Sequence, residues 1–313
     1  MIEKPFFLVG AERSGTTLCR LMLDHHPSIA CFFEFEFCVD FVDDDGSFPS
    51  ANYMQELCRK PLYRKGMREE VYSSALSYPE MMDRILTNKR DREGKRLIGA
   101  TVHRHFNRLL HIWPDALFIH IIRDGRDVAR SRIPMGWDGN VWTAIDEWVR
   151  VENLWDVTQQ QIDSSRYHQL HYEDLVSDPI SQLSGICDFL GVEYSDKMLE
   201  YAEKSTYSKP DPNLLYQWRK KARPYEIQLI EYKALDLLMR RGYEASQLER
   251  IEVNRSEAKK LERASLWGTR RFRLRRLGIV LTFLDIISRR LPIKILRHWV
   301  EEQLNNIRLD HLK

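Results

Sequence analysis

Phe6-Phe7-Leu8-Val9-Gly10-Ala11-Glu12-Arg13-Ser14-Gly15-Thr16-Thr17-Leu18-Cys19-Arg20-Leu21-Met22-Leu23 passes from an apolar run of strand length, through a glycine-bounded loop, into residues with helical spacing. Gly10 and Gly15 stand at the two glycine positions of a P-loop. The N–H groups between them can turn inward and meet a phosphate at the positive end of the following helix. Thr16 occupies the position of the P-loop lysine, and the cation inside the loop is Arg13. A nucleoside-triphosphate site needs that lysine and a magnesium ion to offset the β- and γ-phosphates. This loop suits a less charged donor.

A second anion motif follows. Leu117-Phe118-Ile119-His120-Ile121-Ile122 is near-continuously apolar, as expected of a central parallel strand buried on both faces, and it runs into Arg123-Asp124-Gly125-Arg126-Asp127-Val128-Ala129-Arg130-Ser131. Arg123 leaves its strand at the C-terminal edge, where ligands bind in open α/β sheets, and its guanidinium can fork two phosphate oxygens. Ser131 falls two turns into the next helix, on the face that looks back at the strand end. An apolar run ending in Asp124 also has the form of a magnesium-binding strand of an ATP-dependent P-loop kinase. That reading fails on its partner, the lysine absent from the first loop. Asp124 and Asp127 then read as helix N-terminal and ion-pairing residues near Arg126 and Arg130.

In Arg13-Ser14-Gly15-Thr16-Thr17 and in the pair Arg123 and Ser131, the chain resembles the sulfotransferases that use 3′-phosphoadenosine 5′-phosphosulfate (PAPS). The run Leu21-Met22-Leu23-Asp24-His25-His26-Pro27 is most similar to the tyrosylprotein branch and its bacterial relatives. The resemblance implies that Arg13, Ser14, Gly15, Thr16 and Thr17 hold the 5′-phosphosulfate, and that Arg123 and Ser131 grip the 3′-phosphate. It puts Tyr172, in Tyr172-Glu173-Asp174-Leu175-Val176, near the nucleotide. The segment Lys204-Ser205-Thr206-Tyr207-Ser208-Lys209-Pro210 becomes a late loop closing over PAPS, with Ser205 and either Lys209 or Lys220 contributing, because the family's lysine beside the tryptophan is Gln217 here. The catalytic base falls at Glu34, after the strand Ile29-Ala30-Cys31-Phe32-Phe33, with Glu36 as a rival one pleat away. Where related chains carry a lysine triplet this one has Thr101-Val102-His103, so His103 or Arg104 supplies the compensating proton donor or charge. No metal is required.

These readings predict an α/β fold, a P-loop-type, mainly parallel sheet flanked by helices, with a helical C-terminal appendage. The expected domains are 1–245, the PAPS-binding sulfotransferase domain, and 246–313, a basic amphipathic extension. The expected reaction moves a sulfuryl group from PAPS to the hydroxyl of a carbohydrate, lipid, small metabolite or protein tyrosine, leaving adenosine 3′,5′-bisphosphate. The acidic run Glu34, Glu36, Asp40, Asp43, Asp44 and Asp45, with no Lys or Arg among residues 34–45, disfavours an acidic peptide as acceptor. A P-loop kinase and a nucleotide-binding adaptor without turnover are the alternatives.

Near-balanced charge, +2 overall, argues against a nucleic-acid partner. The odd set Cys19, Cys31, Cys38, Cys58 and Cys187 has no metal spacing and reads as buried hydrophobes in a reducing compartment. With no signal peptide and no apolar run of spanning length, a cytoplasmic protein is expected. From 263 to 297 the only acid among many arginines is Asp285. Residues 263–299 therefore suit either peripheral contact with an anionic membrane, on its inner face, or a helical hairpin packed on the domain or on a second subunit of a homodimer. The tryptophans of residues 142–157 read as a buried helical stripe.

Overall fold

The computed structural model describes residues 4–50, 76–290, 299–300 and 303–304. Five strands and a set of longer helices alternate along it: β1 (Phe6–Val9), α1 (Thr16–Asp24), β2 (Ile29–Glu34), α2 (Tyr78–Arg92), β3 (Leu97–Val102), β4 (Leu117–Ile122), α3 (Gly125–Arg132), α4 (Val141–Gln159), β5 (Tyr167–His171), α5 (Tyr172–Ser177), α6 (Pro179–Leu190), α7 (Pro224–Arg240) and α8 (Arg255–Arg290). The strands form one parallel sheet in the order β2-β3-β1-β4-β5. This is the expected class.

Two compact units divide the chain: residues 1–124 with 148–216, and residues 125–147 with 217–313. The first contains the sheet. Every residue of β1 is buried, because both faces of the sheet are covered. On one face Phe6 and Leu8 meet Leu18, Cys19, Met22 and Leu23 of α1 and Ile186 and Cys187 of α6. On the other, Phe7 lies 5.1 Å from Trp113, and Phe118 lies 6.3 Å from Trp155. Each such side chain contributes about 1.5–3 kcal/mol relative to exposure.

Trp148 and Trp155 are fully buried, as the stripe requires, whereas Val157 points outward. Glu152 of the same helix faces inward at 3.4 Å from His120, so the stripe carries a buried polar contact as well. Cys19, Cys31, Cys38 and Cys187 are buried thiols, and burial pushes Cys31 up to about 12 and Cys187 up to about 11. Cys58 lies outside the described residues.

The second unit is built around a buried arginine. Arg126 is sandwiched between the Glu231 carboxylate at 2.8 Å and the Trp218 ring at 3.8 Å. Glu231 also accepts from the N–H and hydroxyl of Ser246. Asp127 stands in the first turn of α3, at the helix N-terminal position expected of it. Its carboxylate accepts the N–H groups of Gln217 and Trp218 at 3.2 and 2.8 Å. It thereby caps the short helix Gln217–Lys221. The extension after 246 opens with α8. Its Ser265 hydroxyl accepts from Gly139 N–H at 3.0 Å and meets the Thr143 hydroxyl at 2.6 Å. Among the described residues no helix is long and apolar enough to cross a membrane.

Candidate functional site

In the strand order, β1 has β3 on one side and β4 on the other. The chain leaves β1 towards β2 and leaves β4 towards β5, in opposite directions, so a crevice opens between their C-terminal ends. Residues at the ends of all five strands gather within the sheet-bearing unit: Glu34 at the end of β2 with Glu36 beyond it, His103 after β3, Arg13 and Ser14 after β1, Arg123 after β4, and Tyr172 after β5.

The loop after β1 is shaped by backbone constraints. Gly10 has φ +151°, and a Cβ there would stand 2.3 Å from the Ile121 carbonyl oxygen, so the loop needs glycine to pass the end of β4. Gly15 has φ +90° and lies flush against the Tyr172 ring, where a Cβ would come within 2.1 Å. Arg13 adopts φ 76°, a left-handed conformation that costs a side-chain-bearing residue about 1–2 kcal/mol. Two contacts hold it: Ser14 N–H donates to Ala11 O at 3.0 Å, and Arg123 Nη1 donates to the Arg13 carbonyl at 2.9 Å. Backbone strain of this kind persists only where the surrounding structure holds it, and it is concentrated at ligand clamps and active sites.

Charge in the crevice is positive. Burial holds the Arg13 guanidinium below its ordinary value; Tyr207 opposes this, the like charge of Arg123 adds to it, and Glu12 and Tyr172 oppose it. Arg123 lies over the Tyr172 ring, 4.5 Å from its centre. Its loop is pinned by Trp148 Nε1, which donates to Arg123 O at 3.0 Å, and by the Asp124 N–H bond to Glu173 at 3.1 Å. Asp124 is accordingly buried by its backbone anchor. The Ser14 hydroxyl is fully buried and has no hydrogen-bond partner among the described residues. Gly15 gives α1 no side-chain cap, which leaves the first N–H groups of that helix for an anion. Two cations brought together against their repulsion, an orphaned hydroxyl and an uncapped helix start fit a phosphate or sulfate group.

Beside this cradle runs a buried chain of three side chains. Glu36 Oε1 lies 2.6 Å from His103 Nδ1, and His103 Nε2 lies 2.9 Å from Thr16 Oγ1. Burial disfavours the charged imidazole, yet the hydrogen bond and charge of Glu36, with Glu12 and Glu34 behind it, leave His103 above its ordinary value. Burial likewise opposes the Glu36 carboxylate, but the His103 hydrogen bond and charge hold it below its ordinary value. Both directions describe an imidazolium–carboxylate pair. In that state both ring nitrogens donate, and the Thr16 hydroxyl is free to donate outward into the loop.

The model of the sulfotransferase family matches residues 5–196. The chain belongs to that family. Protein-tyrosine sulfotransferase A of Caenorhabditis elegans is 27% identical over 208 residues, which cover 64% of this chain and 53% of the relative. The chain spans about half the length of the curated relatives it matches. Among solved structures, the sulfotransferase domain of the Synechococcus PCC 7002 olefin synthase superposes with TM-score 0.57 at 22% identity, covering 78% of this chain and 97% of that one. The sulfotransferase domain from the curacin biosynthetic pathway gives TM-score 0.59 at 19% identity, covering 78% and 99%. These two establish likeness of fold.

Several residues expected of a sulfotransferase site sit together at one edge of the sheet: Arg13, Ser14, Gly15, Thr16, Arg123, Tyr172 and His103. Thr17 is in the first turn of α1. Glu34 ends β2 beside a bulge, where the pairing skips from Phe32–Ala100 to Glu34–Thr101 and Phe33 is the extra residue. Its carboxylate is exposed, whereas Glu36 is buried and opens a short 3₁₀ turn, so the two do not share one strand face. Arg104 is engaged in a two-pronged pair with Asp40, both contacts 2.7 Å, which leaves His103 as the group aimed at the loop. Arg108 pairs with Asp44 at 2.8 Å. The segment that reads as an acidic rim is thus partly neutralised by arginines following β3, and the case against an acidic acceptor weakens. In the late loop, Ser205 Oγ accepts from Tyr207 N–H at 3.2 Å and Lys209 is exposed. Tyr207 is close enough to act on the Arg13 charge. Ser131 lies in α3, in the other compact unit.

The buried pair sets a pH dependence. His103 is raised on folding, so its contribution to stability is complete below the ordinary imidazole value, about 6.5, and is lost as pH rises through the raised value. Glu36 is lowered, so its contribution is complete above the ordinary carboxylate value, about 4.3, and is lost as pH falls through the lowered one. Near pH 5.5 both are present. Glu36→Gln should therefore cost of order 3 kcal/mol in urea unfolding at pH 5.5 and distinctly less at pH 9. An equal loss at both values would rule out the charged pair.

Proposed function

We propose that this sulfotransferase-family chain moves the sulfuryl group of PAPS to an acceptor hydroxyl. The observation that carries the reading is the meeting of Arg13 and Arg123 across the β1–β4 crevice, joined by the bond from Arg123 Nη1 to Arg13 O at 2.9 Å. Two arginines and a helix start at one crevice suit a nucleotide with a 5′-phosphosulfate and a separate 3′-phosphate. In this reading Arg13, the buried Ser14 hydroxyl and the N–H groups of Gly15, Thr16 and Thr17 receive the 5′-phosphosulfate. Arg123, and by sequence motif Ser131, receive the 3′-phosphate, and Tyr172 supports the nucleotide.

Glu34 takes the proton from the acceptor hydroxyl, whose oxygen bonds to sulfur as the bond from sulfur to the bridging phosphate oxygen breaks. The products are a sulfate ester and adenosine 3′,5′-bisphosphate. His103, kept charged by Glu36, supplies through Thr16 the positive charge that a lysine gives elsewhere in the family, and Arg13 offsets charge on the departing phosphate. Ser205 and Lys209 act from the late loop. No step calls for a metal ion. Exposed Phe33 beside Glu34 favours an acceptor that carries apolar surface next to its hydroxyl.

Calorimetry with adenosine 3′,5′-bisphosphate and ADP tests the donor. The bisphosphate should bind at least about thirtyfold tighter, with no gain on adding magnesium. Turnover of radiolabelled PAPS against cell extract then tests transfer. Preference for ADP with magnesium would point to a kinase, and tight bisphosphate binding without turnover to an adaptor.

A further inference from the structure

The helix α8 has two unlike sides. On one, Ser265 bonds to the backbone N–H of Gly139, and Phe272 packs on Gly136, where a Cβ would stand 2.1 Å from its ring. The other side is exposed: Leu266, Trp267, Arg270, Arg271, Leu274 and Arg275 all face solvent. Successive residues of a helix turn by about 100°, so these six fall within about half of the circumference as one continuous strip. Trp267 is 69% exposed. Such a side chain is uncommon on a free surface and frequent at a membrane–water boundary.

Gly278, at φ 73° and ψ 167°, breaks the helix, and beyond it Ile279, Val280 and Phe283 are again exposed, Ile279 to 78%. Charge along the strip has one sign. Among the described residues, Arg270, Arg271 and Arg275 make no ion pair, and Asp285, the sole acid from 263 to 297, is buried and bonded to Arg273. An apolar strip in this state needs an occupant, and its charge selects one. A second copy joined by two-fold symmetry would set this arginine strip against itself, at a repulsive cost. A surface of anionic headgroups matches it, with Trp267, Ile279 and Phe283 entering the acyl boundary.

We propose that the exposed strip of α8, continued past Gly278, docks the protein on the surface of an anionic phospholipid bilayer. The proposal stands on this helix alone and is independent of the reaction assigned above. Binding of the full chain to phosphatidylglycerol–phosphatidylcholine vesicles, followed by co-sedimentation, tests it. The chain should bind the mixed vesicles, release as salt is raised, and ignore pure phosphatidylcholine. R270Q/R271Q/R275Q should weaken binding about a hundredfold, and W267S/F283S about tenfold. R92Q/K197Q/K221Q, which removes the same charge from exposed sites elsewhere, should leave binding within about twofold. Circular dichroism melting of each variant keeps loss of fold apart from loss of docking.

Three results would overturn the proposal. The first is absence of binding to the anionic vesicles. The second is an equal loss in the control triple variant, which would make the attraction general to the protein's positive charge. The third is a concentration-dependent dimer in sedimentation velocity that W267S/F283S dissolves, which would assign the strip to a second copy.

Discussion

Replacing Glu34 by Gln is expected to lower turnover of PAPS by about a thousandfold, while affinity for adenosine 3′,5′-bisphosphate stays within about twofold of the parent. The amide keeps the size of the side chain and removes its ability to take a proton. Glu34 is exposed at the end of β2, so the fold loses little. Glu36→Gln makes the informative contrast. Its carboxylate is bonded to His103 at 2.6 Å, so its loss should destabilise the fold and shift the pH profile of turnover. His103→Lys, which restores a fixed charge near Thr16, should hold activity to a higher pH than the parent. If Glu36→Gln abolished transfer at every pH and Glu34→Gln spared it, Glu36 would be the base and Glu34 a solvated carboxylate.

Arg123→Ala carries the second large effect. The guanidinium leaves the end of β4 over the Tyr172 ring and reaches the carbonyl of strained Arg13, so it both faces the crevice and braces the loop. Affinity for adenosine 3′,5′-bisphosphate should fall about a hundredfold, the loss of a charge-assisted fork. Adenosine 5′-phosphosulfate, which has no 3′-phosphate, should weaken only about threefold, reporting the loss of the brace alone. Arg123→Lys should fall between, because an ammonium is a point charge without the fork. Equal weakening of both ligands would show that Arg123 shapes the loop and does not read the 3′-phosphate.

Much of the site was legible because its parts are contiguous. Strand, glycine-bounded loop and helix lie within Phe6-to-Leu23, and both glycines are required by contacts of the backbone they sit in, with Ile121 and Tyr172. The apolar run of β4 announced a strand buried on both faces, with Arg123 at its C-terminal end. Side-chain partnerships across the sheet were not legible. Glu36 and His103 are 67 residues apart, and His103 and Thr16 are 87 apart. They meet because β3 runs between β2 and β1, an order that no local spacing encodes. Arg104 and Arg108 cancel carboxylates 64 residues earlier for the same reason, which made the sequence look more acidic at this edge than the folded protein is.

Glu34 and Glu36 illustrate the division most sharply. Alternation along a strand puts them on one face, and that inference holds only while the strand stays regular. The extra residue at Phe33 and the turn beginning at Glu36 send one carboxylate to solvent and the other beneath the loop. Chain chemistry was enough for the glycine-bounded loop between β1 and α1, the buried parallel strands and the C-terminal helix, since each depends on neighbours in sequence. Which carboxylate is buried, which cation faces the cradle and which side of α8 stays uncovered were decided by packing, because burial and pairing belong to residues that only the folded sheet and its helices bring within a few ångströms.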